Sequence, residues 1–528
     1  GLMLTNTRNK LFVMDEFGHF ENIDLPKELF ETQNEEYTVT LIKQQHKREL
    51  FVKDVQPLAK RPREKLIPDT VDYSKKTAVM SLQNIYFGRQ MQGVEKGSIK
   101  KLVVVEFLPN PAHYHGGTWP ISHSGAFAIE RIWGYVDVND DGSAIFEVPA
   151  QKALAFIALD KNGNCVKRML SFVGAQPSTS TSCIGCHETR NETPLTNTVP
   201  KSFSQAVQKL KPFDNRKHPF VIDFMRDIQP IFNAHCIKCH SDNPKSKAKF
   251  SLMEGMGATY FHSYFNLFMR KQMQDGENKW GMFAPYKFGS GCSKILSKTQ
   301  GAHHNAKLSE QELETLKLWL DTGATQFGTY AALGTVFLHQ NLFDTPQWKM
   351  EDEIPQTNAM FNVIKNRCGQ CHKGNAYILA YLNPYNKIRT VKNNKVRETI
   401  YHNETAYNFL HPERTIYLNI ALAKEEGGLA EKGVHPVIFK DKKDPDYISL
   451  KNGIYAISEH LKNNYPMHLA KNFRAGYGYF VRLQEAGIFR KDASCKTPVN
   501  PFDCDERYFK WIEDTMYMHP PKFTPEKQ

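Results

Sequence analysis

The pentapeptide Cys-x-x-Cys-His occurs three times in the chain, at residues 183–187, 236–240 and 368–372. Six of the ten cysteines lie in these motifs. This spacing is typical of c-type heme attachment, because the two thiols add across the two heme vinyl groups and the following His can ligate the iron. The sequence therefore predicts three covalently bound heme c groups. Their expected attachment residues are Cys183, Cys186, Cys236, Cys239, Cys368 and Cys371, and their expected iron ligands are His187, His240 and His372.

The same cysteines allow a competing interpretation, a structural zinc site. Two Cys-x-x-Cys pairs can supply the four thiolates of a tetrahedral Cys₄ site. The first two pairs begin at residues 183 and 236, however, and zinc ribbons space their pairs only about 15–20 residues apart. Zinc also gives no reason for a His directly after every pair. We therefore favour heme over zinc at all three motifs.

Charge and hydropathy limit the partners of the chain. Its 528 residues carry a formal net charge of +12, but no block of five or more like charges occurs, so nucleic-acid binding is not expected. No apolar run approaches the roughly 18 residues of a membrane span. Because heme c is attached outside the cytoplasm, we expect a periplasmic or extracellular protein. Its expected partners are redox proteins, including other multiheme cytochrome subunits of a complex.

Four cysteines lie outside the motifs. Cys495 and Cys504 are close enough in sequence to close a small loop, and an exported protein permits disulfides, so we expect these two to pair. Cys165 and Cys292 leave two alternatives open. They either pair with each other or remain buried thiols, which is the commoner fate of an isolated cysteine.

The first 215 residues have a β-type pattern. Residues 1 to about 25 read as strand, turn and strand, too little to fold alone, and a polar, proline-bearing linker follows. Farther on, apolar residues alternate around two turn sequences, Asn139–Gly142 and Lys161–Asn164. Each of these predicts a β-hairpin. The first heme motif comes directly after this β-rich segment.

From about residue 216 the apolar period becomes helical, and one plan occurs twice. A short apolar helix leads into the heme motif, an irregular segment follows, and a helix with a clear start closes the copy. In the first copy Ser309 and Glu312 form a capping box. In the second, Asp444 caps and Pro445 occupies the first helical position. This plan is typical of a small cytochrome c fold around its porphyrin.

We therefore predict an α+β multidomain protein in which a β-rich heme domain precedes two mainly α, cytochrome c-like domains. The predicted divisions are residues 1–64, the end of an upstream β-rich domain plus a linker; 65–215, the middle domain with heme 1; 216–345, the domain with heme 2; and 346–528, the domain with heme 3 and a C-terminal tail.

The duplication also indicates the second iron ligands of hemes 2 and 3. His303 and His304 lie just before the helix that starts at Ser309, and His435 lies just before the one capped by Asp444. Matching positions in two copies favour a shared role, so we predict His303 and His435 as distal ligands. The rival residues are His304, Met256 and His262 for heme 2, and His402 and His411 for heme 3.

Heme 1 lies outside this plan. Its closest histidines in the preceding sequence are His113, His115 and His123, in a glycine-rich loop of the kind that carries chemistry on a β-scaffold. One of these side chains either ligates the iron or stands beside an open sixth position, where it would act as a proton donor. They are the candidate catalytic residues.

Most of the chain from about residue 65 to 490 resembles proteins related to the hydrazine synthase alpha subunit. The matching stretches include GYVDVNDDGSAIFEVPA, SCIGCHETR, DIQPIFNAHCIKCH and PYKFGSGCSKIL. The resemblance implies a β-propeller upstream, whose last strands residues 1–25 would be, a heme-bearing middle domain and a periplasmic or cell-surface setting. The resemblance implies two hemes for the alpha subunit, however, whereas this chain has three motifs. The tyrosine that is expected to ligate an iron in the alpha subunit corresponds to Asn191 here. Hydrazine synthesis is therefore not an expectation for this chain.

Two functions follow as hypotheses. The first is electron transfer by three hemes to or from a partner protein. The second is a heme oxidoreductase that acts on a small nitrogen-containing substrate at heme 1, with hemes 2 and 3 as relays. A zinc-binding protein is a distant third. Binding of carbon monoxide by the reduced protein distinguishes the first two hypotheses, because an iron with two protein ligands does not bind the gas readily.

Overall fold

The computed structural model divides the chain into two compact units, residues 1–69 and 70–528. The residues that it describes are 3–7, 10–14, 17, 19–24, 70–88, 91–111, 122, 128–186, 188, 198–213, 216–242, 246, 248, 250–257, 260–273, 284–333, 354–371, 389–392, 395–398, 405–433, 435–464 and 467–516. Over these ranges the chain contains both sheets and helices, which confirms the α+β class. None of the helices there is both long and apolar enough to cross a membrane.

The first unit contains a small antiparallel sheet. Its strands β1 (Met3–Thr7), β2 (Lys10–Met14) and β3 (Phe20–Ile23) pair in chain order. The two predicted strands are present, and a third follows them. The described part of this unit is one three-stranded sheet, and its assignment to a propeller remains a prediction. The linker through residue 64 lies outside the described residues.

The described residues between 77 and 183 of the second unit form two packed sheets, with strand orders β10-β4-β7 and β6-β5-β8-β9. The strands are β4 (Thr77–Leu82), β5 (Ile99–Phe107), β6 (Glu130–Asp137), β7 (Ala144–Pro149), β8 (Leu154–Asp160), β9 (Cys165–Arg168) and β10 (Ser180–Cys183). Side chains alternate along β5. Leu102 and Val104 join the core between the sheets, whereas Val103 and Val105 join the core shared with the helices. The four-stranded sheet is therefore buried on both faces.

The two predicted hairpins have different outcomes. β8 and β9 pair antiparallel around Lys161–Asn164, as predicted. The turn at Asn139–Gly142 also forms, and the Asn139 N–H donates to the carbonyl of Ser143 at 2.9 Å. The hairpin there is wrong, however, because β6 pairs with β5 and β7 pairs with β4. This turn transfers the chain from one sheet to the other.

The rest of the second unit is mainly helical. The described α-helices are α1 (Gln229–His235), α2 (His262–Met269), α3 (Lys294–Lys298), α4 (Glu310–Asp321), α5 (Tyr330–Leu333), α6 (Gln356–Val363), α7 (Ile416–Asn419), α8 (Pro445–Asn464), α9 (Tyr477–Glu485) and α10 (Pro501–Met516). A two-stranded ribbon, β11 (Arg389–Lys392) and β12 (Lys395–Glu398), lies between α6 and α7.

Both closing helices form where the sequence predicts them. α4 begins with the Ser309/Glu312 capping box, in which the Ser309 hydroxyl accepts the Glu312 N–H and the Glu312 carboxylate accepts the Ser309 N–H. α8 begins at Pro445, and the Asp444 carboxylate accepts the N–H of Asp446 at 2.8 Å. The apolar residues on their inner faces are buried: Leu316, Trp319 and Leu320 of α4, and Leu450, Ile454, Ile457 and Leu461 of α8. The local signals at these two helix starts are confirmed.

One apolar core extends through the second unit, from Val103 of β5 through Trp319 of α4 to Ile512 of α10. The last helix returns to the β-sheet, where Glu506 of α10 binds Arg131 of β6 at 2.9 Å. The predicted divisions at residues 215 and 345 remain predictions. What the structure shows is that apolar packing continues across both positions.

Candidate heme sites

The second motif is carried on a helical lead-in. A π-helical turn, Phe224–Ile228, passes directly into α1, and the N–H of Cys236 donates to the carbonyl of Phe232 at 2.8 Å. The next turn stays helical, because the His240 N–H donates to the Cys236 carbonyl at 2.9 Å. Residues four apart on a helical turn share a face. Cys236 and His240 therefore lie on one side of the chain, as covalent attachment and ligation of one heme require.

The imidazole of His303 lies close to that of His240. The two ring centroids are 6.1 Å apart and the ring planes are tilted by 38°. An iron that binds one nitrogen of each ring at about 2 Å separates the centroids by roughly 6 Å. The residue types and this spacing fit a heme with two histidine ligands.

Both imidazoles are held by their surroundings. Nδ1 of His240 donates to the carbonyl of Phe250 at 3.0 Å, which leaves Nε2 available for a metal. His303 sits in a tight turn, in which its carbonyl accepts the N–H of Ala306 at 2.9 Å. Burial, and then the neighbouring His304 and His240, lower the pKa of His303. A lowered pKa favours the neutral imidazole that metals bind.

The rivals of His303 have other surroundings. His304 is exposed, although its ring lies 4.7 Å from that of His303. His262 is buried, and its Nε2 lies 2.8 Å from the carbonyl of Tyr407. Met256 is buried in the apolar core. The geometry therefore favours His303 among the residues considered for heme 2.

The third motif repeats the helical lead-in. α6 passes into a second π-helical turn, Ile364–Cys368, whose last residue is the first cysteine of the motif. Short π-helical segments occur frequently at functional sites. Arg367 ties this turn to the segment after His435, since it donates to the carbonyl of Ile438 at 3.0 Å and binds Asp446 at 2.9 Å. The structure thus brings Ile438 and Asp446, which follow His435 in the chain, to the third motif.

His435 itself is half-buried. Its Nδ1 lies 2.8 Å from the carbonyl of Pro436, so that, as in His240, Nε2 is the nitrogen left for a metal. The rival His411 lies instead between two carboxylates, with Nε2 3.4 Å from Glu254 and Nδ1 3.7 Å from Glu413.

The first motif is built differently, on a strand. β10 ends at Cys183 and runs parallel to β4, and the pairing continues as Gln83 and Asn84 donate to the carbonyls of Cys183 and Ile184. The Cys186 N–H then donates to the carbonyl of Phe87 at 2.7 Å. A Cβ on Gly185 would overlap that same carbonyl oxygen. Only glycine permits this approach, which fixes the two cysteines against the edge of the sheet.

Several predicted residues lie outside the described part of the chain. These are the motif histidines His187 and His372, the heme 1 candidates His113, His115 and His123, the heme 3 rival His402, and Asn191. Their roles remain predictions.

A zinc site between the first two motifs is not assembled. All four of its cysteines are described, and within the described residues no group of three or more His, Cys, Asp or Glu side chains is arranged to hold a metal ion. The predicted disulfide is also not formed. Cys504 is buried on α10 and Cys495 lies in the preceding loop, both as thiols. The helix starts at Pro501, and Cys504 belongs to the same buried apolar core as Tyr508.

A buried contact between Asp223 and His468 has no signal in the local sequence. The Asp223 carboxylate precedes the first π-helical turn, where it accepts the N–H of Arg226 at 3.0 Å, and it lies 2.9 Å from Nε2 of His468. Burial opposes the charge on Asp223, but His468 outweighs it and lowers the pKa of the carboxyl. No local pattern indicates this contact, because the partners are 245 residues apart.

Comparison with known proteins identifies one relationship. Residues 97–188 match the sequence model of the hydrazine synthase alpha subunit middle domain; they comprise β5 to β10 and the first motif through Glu188. No curated protein matches the chain.

Among solved structures, hydrazine synthase of Kuenenia stuttgartiensis matches with 17% sequence identity and a TM-score of 0.37. That match covers 48% of this chain, and the chain spans only 44% of the hydrazine synthase chain. The relationship to hydrazine synthase therefore rests on the match of residues 97–188 to the family's sequence model. Through its middle domain, this chain is related to the hydrazine synthase alpha subunit.

Proposed function

We propose that the chain is a triheme c-type cytochrome that transfers electrons outside the cytoplasm. The observation that carries the proposal is the approach of the His303 ring to the His240 ring, with centroids 6.1 Å apart, beside the turn that holds Cys236 and Cys239. Heme c supplies one-electron transfer between ferric and ferrous iron when it is bound. Two histidine ligands would close the iron to other molecules, which suits a relay.

The cysteines of the motifs support the same proposal. Burial raises the pKa of Cys186 and of Cys236 to about 11. Heme c attachment would convert each of these thiols into an uncharged thioether. A thioether loses little by burial, since it has no charge to desolvate.

The remaining sites follow the same plan. Cys368 and Cys371 would attach heme 3, with His372 and His435 as its ligands, in two tandem cytochrome c-like domains. Cys183 and Cys186 would attach heme 1 with His187. Covalent heme attachment requires export, so the protein would work in the periplasm or outside the cell. Its partners would be redox proteins, including other multiheme subunits of a complex.

A heme oxidoreductase is the second candidate, and one observation favours it. The first motif follows a strand, not a helix, and it lies within the segment that matches the hydrazine synthase alpha subunit middle domain. Heme 1 would then be the reactive site for a small nitrogen-containing substrate. His113, His115 and His123 are its candidate catalytic residues, and hemes 2 and 3 would be relays.

Carbon monoxide titration of the reduced protein, followed by absorbance, decides between the candidates. Electron transfer alone predicts that no heme binds the gas, because each iron has two protein ligands. Binding at one heme, abolished when Cys183 and Cys186 are replaced by Ala, supports the oxidoreductase. Binding at all three hemes would contradict both candidates.

A further inference from the structure

Cys165 and Cys292 belong to segments that lie side by side. Cys165 is the first residue of β9, and Cys292 directly follows a 3₁₀-helical turn, Gly289–Gly291. The backbone N–H of Cys165 donates to the hydroxyl of Ser290 at 2.7 Å. One residue along, the Tyr286 N–H donates to the carbonyl of Val166 at 2.9 Å. The two segments are therefore held together on both sides of Cys165.

The closest approach falls at the residue before Cys292. A Cβ on Gly291 would overlap the carbonyl oxygen of Cys165, so the two backbones touch there and glycine is required. The Cα atom of Cys292 is one peptide unit, about 3.8 Å, from that of Gly291. Cys292 thus directly follows the point at which the two segments touch, and it is near enough to Cys165 to contribute to the raised pKa of that thiol.

The two thiols differ in access. Cys165 is fully buried, at 0% exposure, whereas Cys292 is half-buried and its thiol donates to the carbonyl of Gly289 at 3.7 Å. Both residues are in the thiol form in the structure, so a bond between them would form on oxidation. Burial, and then the carboxylate of Asp321, raise the pKa of Cys165 well above its usual value, and Cys292 acts in the same direction. Cys292 is therefore the thiol that an oxidant reaches first.

We propose that Cys165 and Cys292 form a disulfide that ties β9 to the turn before α3. The oxidant is a small-molecule or protein disulfide. The Cys292 thiolate attacks it, forms a mixed disulfide and releases one thiol. Cys165 then attacks the sulfur of Cys292 and expels the second thiol. Two cysteine thiols are oxidised, one external disulfide is reduced to two thiols, and the two cysteine protons end on those thiols.

The test is peptide mapping of the purified full-length protein after exposure to oxidised glutathione. Free thiols are alkylated in denaturant without reductant, and the protein is then digested and analysed by mass spectrometry. We expect a linked pair of peptides that contain Cys165 and Cys292, lost on reduction. Alkylation of both residues before reduction would overturn the proposal, as would linkage of either one to a different cysteine or to glutathione.

Two variants sharpen this test. Cys292→Ser should leave Cys165 as a thiol that is alkylated only after unfolding, whereas the control Cys504→Ser should retain the linked peptide. The bond should also resist reductant in the folded protein and be lost in denaturant, because the Cys165 sulfur is buried. The hemes are counted separately by intact mass. Absence of the disulfide would therefore not contradict the proposed function, and absence of a heme would not contradict the disulfide.

Discussion

The imidazole of His240 has two neighbours with different effects. The carbonyl of Phe250 accepts its Nδ1–H at 3.0 Å, and the ring of Phe250 lies with its centroid 4.7 Å away. The hydrogen bond sets the tautomer, and the phenyl ring limits rotation. Nε2 is consequently directed by contacts that exist before a metal binds. As the proposed iron ligand, a preorganised His240 would reduce the structural change that accompanies a change of iron oxidation state.

His303→Ala should convert one heme from low spin to high spin and leave the other two unchanged. The variant removes the imidazole opposite His240 and opens one axial position. Absorbance and electron paramagnetic resonance measure the change, and the opened heme should now bind carbon monoxide. The matched control is His304→Ala, the adjacent exposed histidine, which should leave the spectra as in the wild type. A change with His304→Ala and none with His303→Ala would reverse the assignment.

Gly185→Ala should destabilise the second unit by about 1–3 kcal/mol, the usual cost of forcing an atom into a packed site. The added methyl group would displace the Phe87 carbonyl and loosen β10 from β4. Denaturant unfolding measures the loss of stability. Gly478→Ala is the control, because a Cβ there meets no atom within 4 Å. Equal stability of Gly185→Ala and wild type would show that the motif is not held as described.

At the scale of single residues, the sequence predicts a contact where the same order of motif, histidine and helix occurs twice in the chain. His303 was predicted because an equivalent histidine precedes the closing helix of the second copy. The Asp223–His468 pair has no such repeat. Its partners approach only because the chain after α8 folds back onto the first π-helical turn, and no local pattern contains that information.

Among the elements, α4 ends in a buried carboxyl group that titrates near neutral pH. Its last residue, Asp321, is buried and accepts hydrogen bonds from the backbone and the hydroxyl of Ser290, at 2.6 and 3.0 Å. Burial is the main cause that raises the pKa of Asp321 from 3.8 to about 7. Near neutral pH the carboxyl is therefore partly protonated at the junction of α4 and the turn before Cys292.

Asp321→Asn should weaken the pH dependence of stability between about pH 4 and pH 7. In that range the folded protein keeps a proton that the unfolded chain has lost, so the free energy of unfolding falls as the pH rises. The stabilisation is complete below about pH 4 and lost above about pH 7. Denaturant midpoints across this range measure the slope. Burial also raises the pKa of Asp505 to about 7. This residue should still contribute its own part of the pH dependence in the variant.

The control for this experiment is Asp492→Asn, an exposed carboxylate, which should leave the slope unchanged. An Asp321→Asn slope equal to that of the wild type would contradict the protonated state assigned to Asp321.

The elements also show where sequence patterns fail. Both closing helices start at the predicted residues because a cap lies within four residues of the groups that it satisfies. The turn at Asn139–Gly142 was equally local and it forms. Strand partners are not local, however: β7 pairs with β4, which lies over 60 residues earlier. A turn sequence determines where the chain reverses its direction. It does not determine which strand the following strand pairs with.

For the whole molecule, the C-terminal helix closes the second unit on its β-sheet. Arg131 of β6 binds the buried Glu106 at 3.0 Å and Glu506 of α10 at 2.9 Å, and its guanidinium lies over the ring of Phe509. The helical and β-rich parts thus share polar as well as apolar contacts. Hemes attached at the three motifs, as proposed, would keep fixed distances within this one compact unit, as electron transfer between them requires.

The measurement that tests the central claim most directly is the heme content of the denatured protein. Thioether bonds survive unfolding, so the intact mass after denaturation and separation should exceed the polypeptide mass by three hemes, with three irons per chain. Replacement of Cys236 and Cys239 by Ala should reduce the number to two. A mass equal to the bare polypeptide, or zinc in place of iron, would contradict the account.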